Sequence, residues 1–160
     1  MKKSIRKKEY NNLLEEMVTV DKYRELGNSV HHGISRFDHI KRVGYLSFLM
    51  AKLFGLNVNT VTRGALLHDF FTEEDVEKYT KKEWHRKHPE IALKNSRQYF
   101  YLNNIEENII SSHMYPLCKT MPRYKESHVV ATADKLVAVY EFARFNLHAY
   151  AMFYTLIFFY

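Results

Sequence analysis

The chain has 160 residues, 46% of them hydrophobic, which suits one domain with a single substantial core. Its single cysteine, Cys118, excludes an intramolecular disulfide, and the opening MKKSIRKKEYNNLLEEM lacks the apolar run of a secretory leader, so a reducing, cytoplasmic setting is expected. The net charge of +6 is dispersed through mixed runs such as KKEWHRK, which argues against a nucleic-acid face and for attraction of small phosphorylated anions.

Glycine and proline are scarce, no repeat is visible, and apolar positions recur at helical spacing, so the chain reads as all-α. A first helix is predicted over Ile5 to Val18 with Leu13, Leu14, Met17 and Val18 as its apolar stripe, and a shorter one over Asp21 to Leu26. GNSVHHG is read as a loop in which His31 and His32 are solvent-facing. Ser35 to Asp38 has capping spacing, which starts a helix at about Arg36 and carries it to Gly55, placing His39 in its first turns.

Asn59 is the predicted cap of the next helix, whose Val61, Ala65 and Leu66 face inward and whose C-terminal end carries His68 and Asp69. Thr72 should cap a short charged helix reaching about Trp84. Pro89 suits the first position of another, leaving His88 just before it. Asn104 with Glu107 should cap a further helix that ends before Pro116 and bears His113 near its end. From about Glu126 a long helix holds Val129, Val130, Ala133, Val137 and Tyr140, with Asp134 in the same stripe.

The uncharged tail from Phe145 to Tyr160, shorter than the roughly 20 apolar residues a span requires and interrupted by Asn146 and His148, predicts no transmembrane helix. It reads as a buried or partner-facing terminal helix, with a homodimer contact or membrane-surface association as the open roles.

His39, His68, Asp69, His88, His113 and Asp134 stand at helix ends or on apolar faces, separated by one helix and its connection. A bundle can bring such side chains to one central site. Asp134, flanked on its face by Val130 and Val137, needs a cation, and imidazole with carboxylate suits Fe, Mn, Zn or Ni. His85, His128 and His148 are read as non-ligands.

The order of His39, the doublet His68–Asp69 and Asp134, with RFDHIKRV around the first and GALLHDF around the second, resembles the HD-domain superfamily of metal-dependent phosphohydrolases over about Val30 to Glu141. The resemblance implies one all-α helical bundle over residues 1–160, with N-terminal helices in 1–29, a metal-binding core in 30–141 and an apolar helix in 142–160. KHPEIA (His88) and SSHMYPL (His113) resemble the extra histidines of the dinuclear branch. On that likeness His39, His68, Asp69 and Asp134 hold one divalent ion and His88 and His113 a second, Asp69 bridging, with Fe or Mn favoured and Zn, Ni, Co or Mg compatible.

The implied reaction is attack on a phosphoryl group by a hydroxide shared between the ions, with His68 and Asp69 as the catalytic doublet. Symmetrical dinucleoside tetraphosphate hydrolases are the relatives of similar size and plan, so a nucleotide is the expected partner. Phe70, Phe71 and Thr72 stand where many relatives have a lysine or a second acid, and the Gly-Tyr-Pro signature of the cyclic-dinucleotide branch is absent. Lys135, Arg36, Arg42 and Arg123 are candidate phosphate contacts. The competing reading is a metal-bound, nucleotide-sensing module without turnover.

Overall fold

The computed structural model describes the backbone of residues 2–28, 30–31 and 34–159, and the side chains of residues 4–26 and 35–147. Its helices are α1 (Lys2–Val18), α2 (Asp21–Arg24), α3 (Arg36–Phe54), α4 (Val58–Leu67), α5 (Glu73–Val76), α6 (Lys81–Tyr99), α7 (Asn104–Ser112) and α8 (Lys125–Phe159). A 3-10 turn over Glu25–Asn28 leads into a minimal antiparallel hairpin of β1 (Val30–His31) and β2 (Ile34–Ser35), where a plain loop was expected. His32 lies outside the described residues, as do the side chains of His31 and His148.

The ends of α3 follow the sequence closely. Ser35 accepts the Asp38 N–H at 3.1 Å, and Gly55, at φ 66°, takes the left-handed conformation that a residue with a Cβ resists. Three other predicted starts move. Asn57, not Asn59, caps α4 by accepting the Thr60 N–H at 3.0 Å, because it is the asparagine left extended directly after the turn at Gly55. Asn103, not Asn104, pairs with Glu106 in the capping box of α7.

The largest correction concerns Pro89. Thr72 starts only the one-turn α5, and a second capping box, Thr80 with Glu83, opens α6. The helix then runs through Pro89, so His88 is a mid-helix residue and not its preceding cap. A proline forfeits one N–H bond and crowds the preceding turn. Against that, Trp84, His88, Ala92 and Ser96 fall at four-residue intervals, and the last three are buried.

Two apolar clusters share the central helices. Tyr10, Met17, Tyr23, Leu26, Ile40, Phe48, Leu66, Leu67, Phe70 and Ile110 build one; Val43, Val61, Ala65, Ile109, Val130, Ala133 and Val137 build the other. Helices α3, α4 and α7 contribute to both and so form a layer between them. Tyr140 departs from the expected stripe: it is 53% exposed, because α8 has turned that face outward.

The N-terminal helices are tied to this layer by two phenols. Tyr10 donates to the Lys41 carbonyl and Tyr23 to the Leu66 carbonyl, both at 2.8 Å, the second satisfying an acceptor near the C-terminus of α4 where the helix has no N–H to offer. Helix α8 continues unbroken to Phe159, so the apolar tail is the same element that carries Asp134. Among the described residues no helix is long and apolar enough to cross a membrane.

Candidate metal centre

Each predicted histidine enters the centre from a helix. His39 is on the first turn of α3, His68 is the residue capping the C-terminus of α4, His88 is inside α6, and His113 caps α7. Asp69 follows α4, and α8 supplies Asp134. His68 and His113 are fully enclosed, and Asp134 is 9% exposed.

The rings are aimed by hydrogen bonds on their Nδ1 side. His68 Nδ1 lies 2.7 Å from the Ala65 carbonyl, His113 Nδ1 2.8 Å from that of Ile110, and His88 Nδ1 3.1 Å from that of Trp84. A carbonyl only accepts, so each of these nitrogens carries the proton and each Nε2 turns a lone pair into the site. His39 directs Nδ1 to the Glu141 carboxylate at 2.8 Å. Metal-ligating histidines characteristically have such an outer partner, which fixes tautomer and ring orientation.

The inner atoms converge. His39 Nε2 is 3.1 Å and His68 Nε2 3.7 Å from Asp134 Oδ1; His68 Nε2 is 3.6 Å from Asp69 Oδ2. On the other side of the Asp69 carboxylate, Oδ1 is 3.5 Å from Nε2 of both His88 and His113. Two triads, His39–His68–Asp134 and His68–Asp69–His113, bring their donor atoms within 4.8 Å of one another.

Two features of this arrangement favour a cation. His68 Nε2 and Asp69 Oδ1 are buried without a hydrogen-bond partner, a costly state for polar atoms. His88 and His113 also bring their Nε2 atoms to 2.9 Å, a separation at which the two nitrogens need a proton or a metal ion between them. The donor set of imidazoles and carboxylates, with no cysteine, matches Fe, Mn, Zn or Ni. The residues present therefore fit divalent metal.

The local electrostatics point the same way. Burial alone would raise the Asp69 and Asp134 carboxyls, yet the surrounding histidines hold both below the usual carboxylate range. Burial works against charge on His39 and His68; at His39 the Asp134 and Glu141 carboxylates prevail and hold it up at about 10, and at His68 Asp69 and Asp134 also raise it. At His88 burial prevails and pushes the imidazole down to about 4, leaving it a neutral donor.

The candidate phosphate contacts fare unequally. Arg36 is buried over the Phe71 ring, 4.1 Å from its centroid, and donates to the Phe71 carbonyl at 2.9 Å and to Glu73 at 2.8 Å. Arg42 donates to Glu141 at 2.6 Å, behind His39. Lys135 reaches the Tyr115 carbonyl at 3.3 Å, on the loop after His113. Arg123 is not brought to the cluster: it lines a surface cleft of about 770 Å³ between α6 and α7.

Sequence reasoning missed Glu141, which joins His39 to Arg42. Its signal was its place seven residues after Asp134, two helical turns along the same face of α8. The role of Phe71 was also hidden: its ring packs edge-on against Trp84 at 4.6 Å and borders His88 at 5.7 Å, forming an aromatic wall beside the centre. His85 and His128 are exposed, as expected of non-ligands.

The HD domain family profile matches residues 36–139. Ribonuclease Y of Pseudothermotoga lettingae is 35% identical over 115 residues, covering 71% of this chain and 20% of that protein. The chain thus spans about a fifth of the length of the curated relative it matches. No solved structure matches.

Proposed function

Because the chain belongs to the HD domain family, we propose that it is a phosphohydrolase of the dinuclear branch, cleaving a nucleotide or related phosphate ester or anhydride. The observation that carries this reading is the Asp69 carboxylate, whose Oδ2 faces the His68 imidazole and whose Oδ1 faces those of His88 and His113. His39, His68, Asp69 and Asp134 would hold one divalent ion, and His88 and His113, with Asp69 shared, would hold the second. Such ions supply Lewis acidity, lowering the pKa of water toward neutrality and offsetting charge on phosphoryl oxygens.

The chain's own contribution is positioning. The backbone carbonyls of Ala65, Trp84 and Ile110 hold three imidazoles in one tautomer, and Glu141 does so for His39. Asp69 and Asp134, kept ionised by the histidines around them, provide the negative charge that selects a cation. The Phe71 and Trp84 rings border His88 at 5.7 and 5.6 Å, so that side of the imidazole meets aromatic surface. Lys135, which donates to the Tyr115 carbonyl on the loop after His113, would be a phosphate contact in this reading.

Dinucleoside polyphosphates are the leading substrates on the likeness in size and plan to the symmetrical tetraphosphate hydrolases. The match to Ribonuclease Y adds short RNA to the set worth testing. The decisive experiment is elemental analysis of purified protein followed by a phosphate- and nucleotide-release screen over dinucleoside polyphosphates, nucleoside phosphates and RNA oligomers. Two transition-metal ions per chain, and release abolished in Asp69→Ala, are expected. Metal without turnover on any substrate would favour the sensing module instead.

A further inference from the structure

A second pocket, of about 620 Å³, lies between α6 and the loop that follows His113. These are the two elements whose histidines meet at 2.9 Å in the metal centre. Its α6 wall, Glu83, Arg86, Lys87 and Glu90, is the helix face next to the one that carries Trp84 and His88. Pro116 and Leu117 provide an apolar floor, and Tyr79, 38% exposed, stands at the rim.

The lining carries three cations, Arg86, Lys87 and Lys119, against the carboxylates of Glu83 and Glu90, and so has one positive charge in excess. The Glu83 carboxylate is committed to the N–H and hydroxyl of Thr80, at 3.0 and 2.7 Å, and Glu90 pairs with Lys87 at 3.4 Å. Arg86 and Lys119 have no hydrogen bond or ion pair among the described residues, and face the same cavity from opposite walls. A concave site of this size, part apolar, with two uncommitted cations and an accessible ring, has the features of a small-molecule site. Guanidinium and ammonium groups together are selective for phosphate, and an aromatic face for a planar base.

We propose that this pocket seats a nucleoside phosphate, its base against Tyr79 and its phosphates on Arg86 and Lys119. The proposal rests on the phosphohydrolase reading above and assigns the residues that would select its substrate class. Helix α6 then serves two purposes on adjacent faces, one presenting His88 and the other recognising the nucleotide.

The test is calorimetric titration of the purified protein with ADP, tripolyphosphate and adenosine. ADP should bind, and the paired change Arg86→Ala with Lys119→Ala should weaken both ADP and tripolyphosphate about tenfold or more. Tyr79→Ala should weaken ADP roughly fivefold or more and leave tripolyphosphate unchanged, with Tyr79→Phe restoring ADP affinity. All the altered side chains are exposed, so folding is expected to survive. ADP affinities within twofold of the parent in both variants would overturn the pocket, even if the protein releases phosphate. Pocket-dependent ADP binding with no hydrolysis of any substrate would instead overturn the hydrolase reading and leave the pocket standing.

Discussion

Replacing Gly64 with alanine should drive α4 and α7 apart at the level of their histidines. A Cβ at Gly64 would sit 2.8 Å from Ile109 Cδ1, 2.9 Å from its Cγ2 and 3.1 Å from its Cβ. Ordinary carbon contacts begin near 3.5 Å, so the helices or the Ile109 side chain must give by roughly 0.5–1 Å. His68 lies one turn beyond Gly64 on α4 and His113 one turn beyond Ile109 on α7, their rings 4.9 Å apart. Metal coordination tolerates only about 0.2 Å, so the same displacement is large for the centre.

Overpacking should cost about 1–3 kcal/mol, against which alanine's better helix propensity returns about 1 kcal/mol. The net loss of up to about 2 kcal/mol corresponds to a melting-temperature drop of up to about 8 °C for a chain of this size. Ile109→Ala removes two of the three clashing atoms, so in that background Gly64→Ala should become neutral or stabilising. Thermal unfolding of the four proteins in the cycle, with metal stoichiometry on each, is the assay. Additivity within about 0.5 kcal/mol would refute the proposed contact, and full metal occupancy in a destabilised Gly64→Ala would refute its link to the centre.

Glu141→Gln should weaken one ion about 10- to 100-fold, because His39 loses its charged orienting partner and Arg42 its counterion; equal loss of both ions on metal titration would argue against the division of ligands. His113→Ala should reduce occupancy at the His88 side more than at the His39 side, read by elemental analysis. Tyr23→Phe should cost about 1–2 kcal/mol in urea unfolding, since the Leu66 carbonyl is left buried without its donor. Burial holds the Tyr10 and Tyr23 phenols above their ordinary range, so the folded state retains protons that the unfolded chain releases. Their contribution is complete below about pH 10 and is lost as pH rises through the raised values; an unchanged alkaline slope in Tyr23→Phe would contradict this.

The elements that could be read from sequence were those whose signal is local. Ser35 and Gly55 bracket α3 because a cap and a left-handed turn each depend on a few neighbouring residues. The six candidate ligands were visible for a different reason: ionisable groups recur at helix ends or on apolar faces, one helix and its connection apart. What misled was local chemistry with two solutions. Asn57 and Asn59, or Asn103 and Asn104, are equally good caps until packing selects one, and Pro89 looks like a helix start unless the Thr80–Glu83 box upstream is weighed first. The burial of Arg36 against Phe71 could not be read at all, and Glu141 offered only its register with Asp134, since each depends on a contact between residues far apart in the chain.

The Nδ1 hydrogen bonds divide the centre into two kinds of donor. His68, His88 and His113 are oriented by carbonyls three or four residues earlier, so a single formed turn of helix is enough to aim each ring. His39 is oriented by a carboxylate 102 residues away, and its aim exists only once α8 has closed on α3. Three of the four rings are therefore aimed within individual helices, whereas the aim of His39 reports that the last helix has closed on α3. A His39 ring aimed from α8 is set only in molecules whose last helix has docked, so its orientation is a marker of complete folding.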